Sequence, residues 1–105
     1  MSNYTIFLDD ERKCPEGYVH CKSYDEFVDT ITNRGLPWAI HFDHDLGYLE
    51  KTGADCARWL IKYCTDNNKK LPICGVHSHN PDGAANIKSL LRSFVKSQLE
   101  EHDAN

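Results

Sequence analysis

The sequence lacks the features that mark several large function classes. No run approaches the roughly 18–20 apolar residues of a membrane span, and no basic region or cleavage site precedes the first strand-like segment. The chain is therefore expected in the cytoplasm, with no membrane partner. Basic residues are not in excess: 12 Lys and Arg stand against 16 Asp and Glu, for a formal net charge of −4. Non-specific binding of duplex DNA needs a clearly basic face, so none is expected. A small phosphate ligand held by a few placed cations stays open. The five Cys are odd in number and show no C-x-x-C spacing. They read as small buried hydrophobes in a reducing compartment, not as a metal site or a disulfide framework. Internal repeats, low-complexity tracts, a Gly-rich phosphate loop and a nucleophilic Cys–His arrangement are also missing.

What is present is an alternation of short apolar runs and helical patterns. At 105 residues the chain holds one domain, 1–105, around one core. Tyr4–Leu8, Tyr18–Lys22, Trp38–Phe42 and Ile73–Val76 read as strands. Between the first two, Glu11–Gly17 holds Pro15 and Gly17, so it reads as a loop or one poor turn. Ser23-x-x-Glu26 is a capping box for a helix with Tyr24, Phe27, Val28 and Ile31 on one face, ending near Gly35. Thr52-x-x-Asp55 caps a second helix. Its buried face is Cys56, Ala57, Leu60, Ile61 and Cys64, and its wet face Arg58, Lys62 and Asp66. A third helix follows Asn80-Pro81-Asp82-Gly83, with Ile87, Leu90, Leu91, Phe94 and Val95 at helical spacing and fraying expected from Glu100.

This alternation predicts an α/β fold with an open four-stranded parallel sheet and helices on both faces. Right-handed crossovers predict the strand order 2-1-3-4. Ligands of such sheets bind beyond the carboxyl ends of the strands, at the switch point between the first and third.

Polar motifs sit at three of those ends. Asp9-Asp10-Glu11-Arg12 follows the first strand, Asp43-His44-Asp45-Leu46-Gly47 the third, and His77-Ser78-His79-Asn80-Pro81 the fourth. Carboxylates held close repel one another, and a divalent cation relieves that repulsion. Asp9, Asp10 and Asp43 are the candidate metal ligands. Magnesium fits an all-oxygen site, while His44 and His77 shift the preference toward manganese, iron or zinc. The plainer reading of Asp9 and Asp10 is that they cap the turn that follows, and of Asp45 that it is simply exposed. His77 and His44 are candidate acid–base groups. His20, His41 and His102 have no comparable setting and take no role, and His79 alternates away from His77. Arg12 offers a fork for a phosphate. Ser78 and Asn80 add donors ahead of a helix N-terminus, where backbone N–H groups favour anions. Asn80 or Asp82 also caps that helix.

Leu8-Asp9-Asp10-Glu11-Arg12, Phe42-Asp43-His44-Asp45-Leu46-Gly47, Thr52-Gly53 and His77-Ser78-x-Asn80-Pro81-x-Gly83-x-x-Asn86 together resemble the cyclic-phosphate processing receiver domain. This family is an offshoot of the response-regulator receiver fold, common in phages and bacteria. The resemblance implies a truncated receiver, a flavodoxin-like three-layer sandwich. It implies processing of cyclic phosphates: cyclic nucleotides or 2′,3′-cyclic RNA ends. By position, Asp9 and Asp10 match the receiver acidic pair, Asp43 the phosphoacceptor and Ser78 the hydroxyl residue. His44, Asp45, His77 and Asn80 match the additions that set the family apart, which makes Asp45 a third catalytic candidate beside the two histidines.

The sequence shows no fifth strand with its lysine, which argues against phosphorelay signalling. The short Pro-containing segment after Arg12 replaces the usual first helix and would leave the pocket open to a nucleotide. The expected function is a phosphodiesterase-type hydrolase opening a cyclic phosphate, assisted by magnesium or manganese, in the host cytoplasm if the source is viral. The alternatives are a non-catalytic module that sequesters a cyclic nucleotide, in the manner of a phage anti-defence protein, and a degenerate phosphoacceptor receiver. Which histidine is acid and which is base stays open, as does the oligomeric state.

Overall fold

A computed structural model describes residues 4–43, 51–77 and 80–103. The elements run β1 (Thr5–Leu8), β2 (Val19–Cys21), α1 (Tyr24–Arg34), β3 (Ala39–Phe42), α2 (Gly53–Asp66), β4 (Ile73–Val76) and α3 (Pro81–Asp103). The four strands form one parallel sheet in the order β2-β1-β3-β4, the order expected from the crossovers. The family of folds is that of receivers and flavodoxins.

Local chemistry sets the helix ends. The Ser23 hydroxyl accepts from Glu26 N, and Glu26 Oε1 accepts from Lys22 N, one residue before the cap. Gly35 closes α1 at φ 86°, a backbone conformation that L side chains rarely adopt. Thr52 and Asp55 exchange hydrogen bonds at the start of α2, in the reciprocal capping arrangement. Those bonds, led by the Thr52 amide N–H, hold the Asp55 carboxyl below its usual range. Asn80 caps α3, its Oδ1 accepting from Gly83 N at 3.0 Å, and Pro81 takes the first helical position, where its missing N–H costs nothing. The helix continues to Asp103, past the point where fraying was expected.

The core lies on one side of the sheet. Ile6 and Leu8 from β1, Cys21 from β2, and Ile40 and Phe42 from β3 are fully buried there. They meet Phe27 and Ile31 of α1, Cys56, Leu60 and Cys64 of α2, and Ile87 of α3 in one cluster. Each such large side chain contributes roughly 1.5–3 kcal/mol through burial. Burial also pushes the Cys64 thiol up to about 11 and the Cys74 thiol up to about 12, so both stay protonated and inert at neutral pH.

All three helices therefore cover the same face, where helices on both faces were expected. The topology explains it. The β2→β3 and β3→β4 crossovers both run in the same direction along the sheet, so right-handedness places α1 and α2 on one side. Only β1→β2 runs the other way, and its connection, residues 9–18, contains no helix. The second face of the sheet thus carries a loop and side chains as its third layer. Thr5, Phe7, His20, Ala39, His41 and Gly75 point there, alternating with the core residues. No described helix is long and apolar enough to cross a membrane.

Candidate active site

Among the described residues, Asp9 and Asp43 are the buried polar or charged side chains. Asp9 follows β1 directly and is fully buried. Its backbone N donates to Cys21 O at 3.1 Å, and its carbonyl accepts from His20 Nε2 at 2.7 Å. Its Oδ1 accepts from the amides of Glu11 and Arg12, both at 2.8 Å. Asp9 does therefore shape the turn that follows it. Its Oδ2 faces the fourth strand instead, 2.9 Å from His77 Nε2. Arg12 Nε stands 3.8 Å from the same oxygen, on a partly exposed side chain.

Burial by itself would raise the Asp9 pKa. The Arg12 and Glu11 amides, and then His77, outweigh it and hold the carboxyl below its usual 3.8. An ionised Asp9 can only accept, so His77 Nε2 is the donor, and in the neutral ring Nδ1 is left as the acceptor.

His77 is held at three points. Its backbone N donates to Phe42 O at 2.7 Å, continuing the β3–β4 ladder. Its Nε2 meets Asp9. Its ring stacks on Phe7, with centroids 5.1 Å apart and planes 14° apart. Asp43 is positioned in the same way at the end of β3, its N donating to Leu8 O at 3.0 Å, and it is nearly buried, at 9 % exposure.

The three strand ends consequently converge. One donor atom each from Asp9, Asp43 and His77 lies within 4.8 Å of the others, a grouping that could hold a metal ion. The fit is specific in one respect. Two carboxylate oxygens and an imidazole nitrogen suit manganese, iron or zinc better than magnesium, which favours an all-oxygen shell. Asp10 is not a member of that group. It lies one residue beyond Asp9 and is only partly buried. Asn80 sits at the start of α3 with its Oδ1 committed to the cap. His44, Asp45 and Ser78 lie outside the described residues.

Asp9, Asp43 and His77 thus meet at the ends of β1, β3 and β4, without Asp10, the other candidate ligand of the first motif. The family model of the cyclic-phosphate processing receiver domain matches residues 4–93. The chain belongs to this family. Comparison with curated proteins and with solved structures finds no match. The family match spans every element from β1 to the middle of α3, and so includes all three strand ends of the site. The strand order 2-1-3-4 is that of a receiver domain. This cyclic-phosphate processing receiver domain has His77 tied to Asp9.

His20 is the site residue that sequence reasoning leaves without a role. It fixes the Asp9 carbonyl and packs edge-on against Phe7 at 5.8 Å. The signal available for it is its register: it lies directly opposite Phe7 in the β1–β2 pairing, one residue from the strand end.

Proposed function

We propose that this receiver domain is a phosphodiesterase-type hydrolase that opens a cyclic phosphate, on a cyclic nucleotide or a 2′,3′-cyclic RNA end. The observation that carries the reading is the buried Asp9–His77 pair, 2.9 Å apart, with Asp43 in the same group. A histidine oriented by a buried carboxylate is a device for moving protons, and has little use in packing.

In this reading His77 takes a proton at Nδ1 from the attacking water while Nε2–H stays on Asp9. The water oxygen forms a bond to phosphorus, and one ester P–O bond of the ring breaks. The leaving oxygen receives a proton from His44, and the product is a phosphomonoester. Arg12, with Ser78 and Asn80, binds the phosphoryl oxygens. Asp9 ionised, as its lowered pKa requires, stabilises the imidazolium that forms.

A second reading rests on the grouping of Asp9, Asp43 and His77. A divalent cation bound there would offset the negative charge that develops on the phosphoryl oxygens. His77 Nε2 would then be a ligand, its proton would sit on Nδ1, and His77 could not serve as the base. The two roles exclude each other, and acid–base work would pass to His44 with Asp45. Asp10 would then support the carboxylate set from the rim.

The test is incubation with a panel of cyclic nucleotides and cyclic-ended RNA, with and without EDTA, followed by chromatography of the products. Turnover that survives EDTA supports the Asp9–His77 proton relay. Turnover abolished by EDTA and restored by manganese supports the cation reading. Absence of product with every substrate contradicts hydrolysis.

A further inference from the structure

The face of the sheet without helices is lined with rings, and those rings run into the site. The His77 ring stacks on Phe7, and Phe7 packs against His20 at 5.8 Å and His41 at 6.5 Å. Tyr18 stacks on the outer side of His41 at 5.4 Å, with planes 26° apart, and is exposed. Gly75, next to His41 in the register, has no side chain, and a Cβ there would come to 3.6 Å from His41 Nδ1. The His41 ring therefore leans over β4. Farther down, Trp38 is 60 % exposed, and its indole N–H donates to Thr5 Oγ1 at 3.1 Å. Thr5 lies on the Phe7 side of β1, two residues below it.

A hydrophobic core does not need this arrangement. The opposite face has Ile6, Leu8, Ile40 and Phe42 at 0 % exposure. The ring face instead leaves Tyr18 and Trp38 in contact with solvent, and among the described residues no helix covers it. Flat aromatic rings exposed on a sheet face that no helix covers are a surface on which nucleobases stack.

We infer that this ring-lined face is the subsite for the nucleobase of the cyclic phosphate, with the exposed Tyr18 ring, backed by His41, as the stacking platform. The inference rests on the proposed phosphate site at Asp9, Asp43 and His77, and it names what the rest of the substrate is. His41 lies two residues below Asp43 on β3, about 7 Å of strand rise, which is within the reach of one nucleotide. Trp38 lies a further step down and would meet the base of a preceding nucleotide. Stacking on a ring engages the flat face of a base and not its edges. Its contribution is to affinity for nucleotides as a class, not to the choice of base.

The experiment compares three probes by equilibrium binding to the full chain. They are adenosine 2′,3′-cyclic phosphate, the methyl riboside 2′,3′-cyclic phosphate that lacks a base, and a diadenosine with a 2′,3′-cyclic end. Adenosine cyclic phosphate should bind about 5- to 100-fold more tightly than the base-free probe. Tyr18→Ala should remove that margin, and Tyr18→Phe should keep it, because the ring and not the hydroxyl makes the stack. Trp38→Ala should weaken only the dinucleotide if cyclic-ended RNA is the source of the ligand. If the mononucleotide and dinucleotide bind alike and Trp38→Ala changes neither, free cyclic nucleotides are the source.

Equal affinity for the base-bearing and base-free probes overturns the platform even if both are hydrolysed. A base-dependent margin that Tyr18→Ala removes, with no hydrolysis of any probe, upholds the platform and contradicts the phosphodiesterase. Self-association that Tyr18→Ala abolishes, with no base-dependent margin, gives the face to a second copy of this chain and overturns the inference.

Discussion

His77 Nε2 lies 2.9 Å from Asp9 Oδ2, although the two residues are 68 positions apart in the chain. The contact joins the ends of β1 and β4 across the intervening strand β3, whose own end carries Asp43. Everything around it serves to hold it in place. His20 fixes the Asp9 carbonyl, two amides fix Oδ1, and Phe7 supports the His77 ring.

Asp9→Ala should destabilise the fold by about 2–4 kcal/mol, because it strands two amide donors and a histidine N–H in a buried place. Asp9→Asn should cost less, since Oδ1 can still accept from Glu11 and Arg12. Its amide nitrogen would face His77 as donor against donor, unless the imidazole changes tautomer. Urea unfolding of both variants checks the ranking, and equal stability of wild type and Asp9→Ala would remove Asp9 from the framework.

The pH dependence of stability follows from the same carboxyl. Its folded pKa is lowered below the usual 3.8. The stabilisation it gives is therefore fully present above the unfolded value and is lost as pH falls through the folded one. Wild type should lose stability steeply on acidification below about pH 4, and Asp9→Asn should show a shallower loss over that interval. Thermal melts between pH 2 and 7 provide the comparison.

His77→Gln should lower turnover by about 10²–10⁴ while changing substrate affinity much less, because proton transfer counts in the transition state. The variant should also lose the acidic limb of the pH–rate profile, the rise of rate with pH that a general base produces. Rates and dissociation constants of the two proteins decide this, and an active variant with an unaltered profile would transfer the role to His44.

Asp43→Asn should abolish turnover with a stability change under about 1 kcal/mol. The amide keeps the size of the side chain and removes the charge that a cation or a developing positive centre needs. Paired melting and activity measurements test it. Retained activity with an unchanged metal requirement would show that Asp43 is no ligand.

The order of the strands is legible in the sequence, because a parallel sheet with right-handed crossovers admits few alternatives. The cap residues Ser23, Thr52 and Asn80 are legible for a local reason: each bonds within three residues of itself. The coverage of the sheet is harder to read. Thr5-Ile6-Phe7-Leu8 has apolar residues on both sides, the mark of a strand buried on both faces. Phe7 is indeed buried, but under imidazoles and not under a helix. The missing helix between Arg12 and Tyr18 carries the signal, since that connection alone crosses to the second face.

At the site, the convergence of the first, third and fourth strand ends is legible from the motifs. Which member of Asp9-Asp10 turns inward is not. It depends on the pleat, which places Asp9 on the same face as Phe7, His41 and Gly75. The roles of His20 and His41 likewise depend on cross-strand neighbours that lie far away in the chain.

The central claim is that water opens a cyclic phosphate at the Asp9–His77 pair. The most direct measurement is mass spectrometry of the product formed from adenosine 2′,3′-cyclic phosphate in water enriched in heavy oxygen. The account predicts a phosphomonoester carrying one solvent oxygen on phosphorus, formed by wild type, about 10²–10⁴-fold more slowly by His77→Gln, and not by Asp43→Asn. Tight binding of the cyclic phosphate with no labelled product, however long the incubation, would contradict it and make the domain a sequestering module.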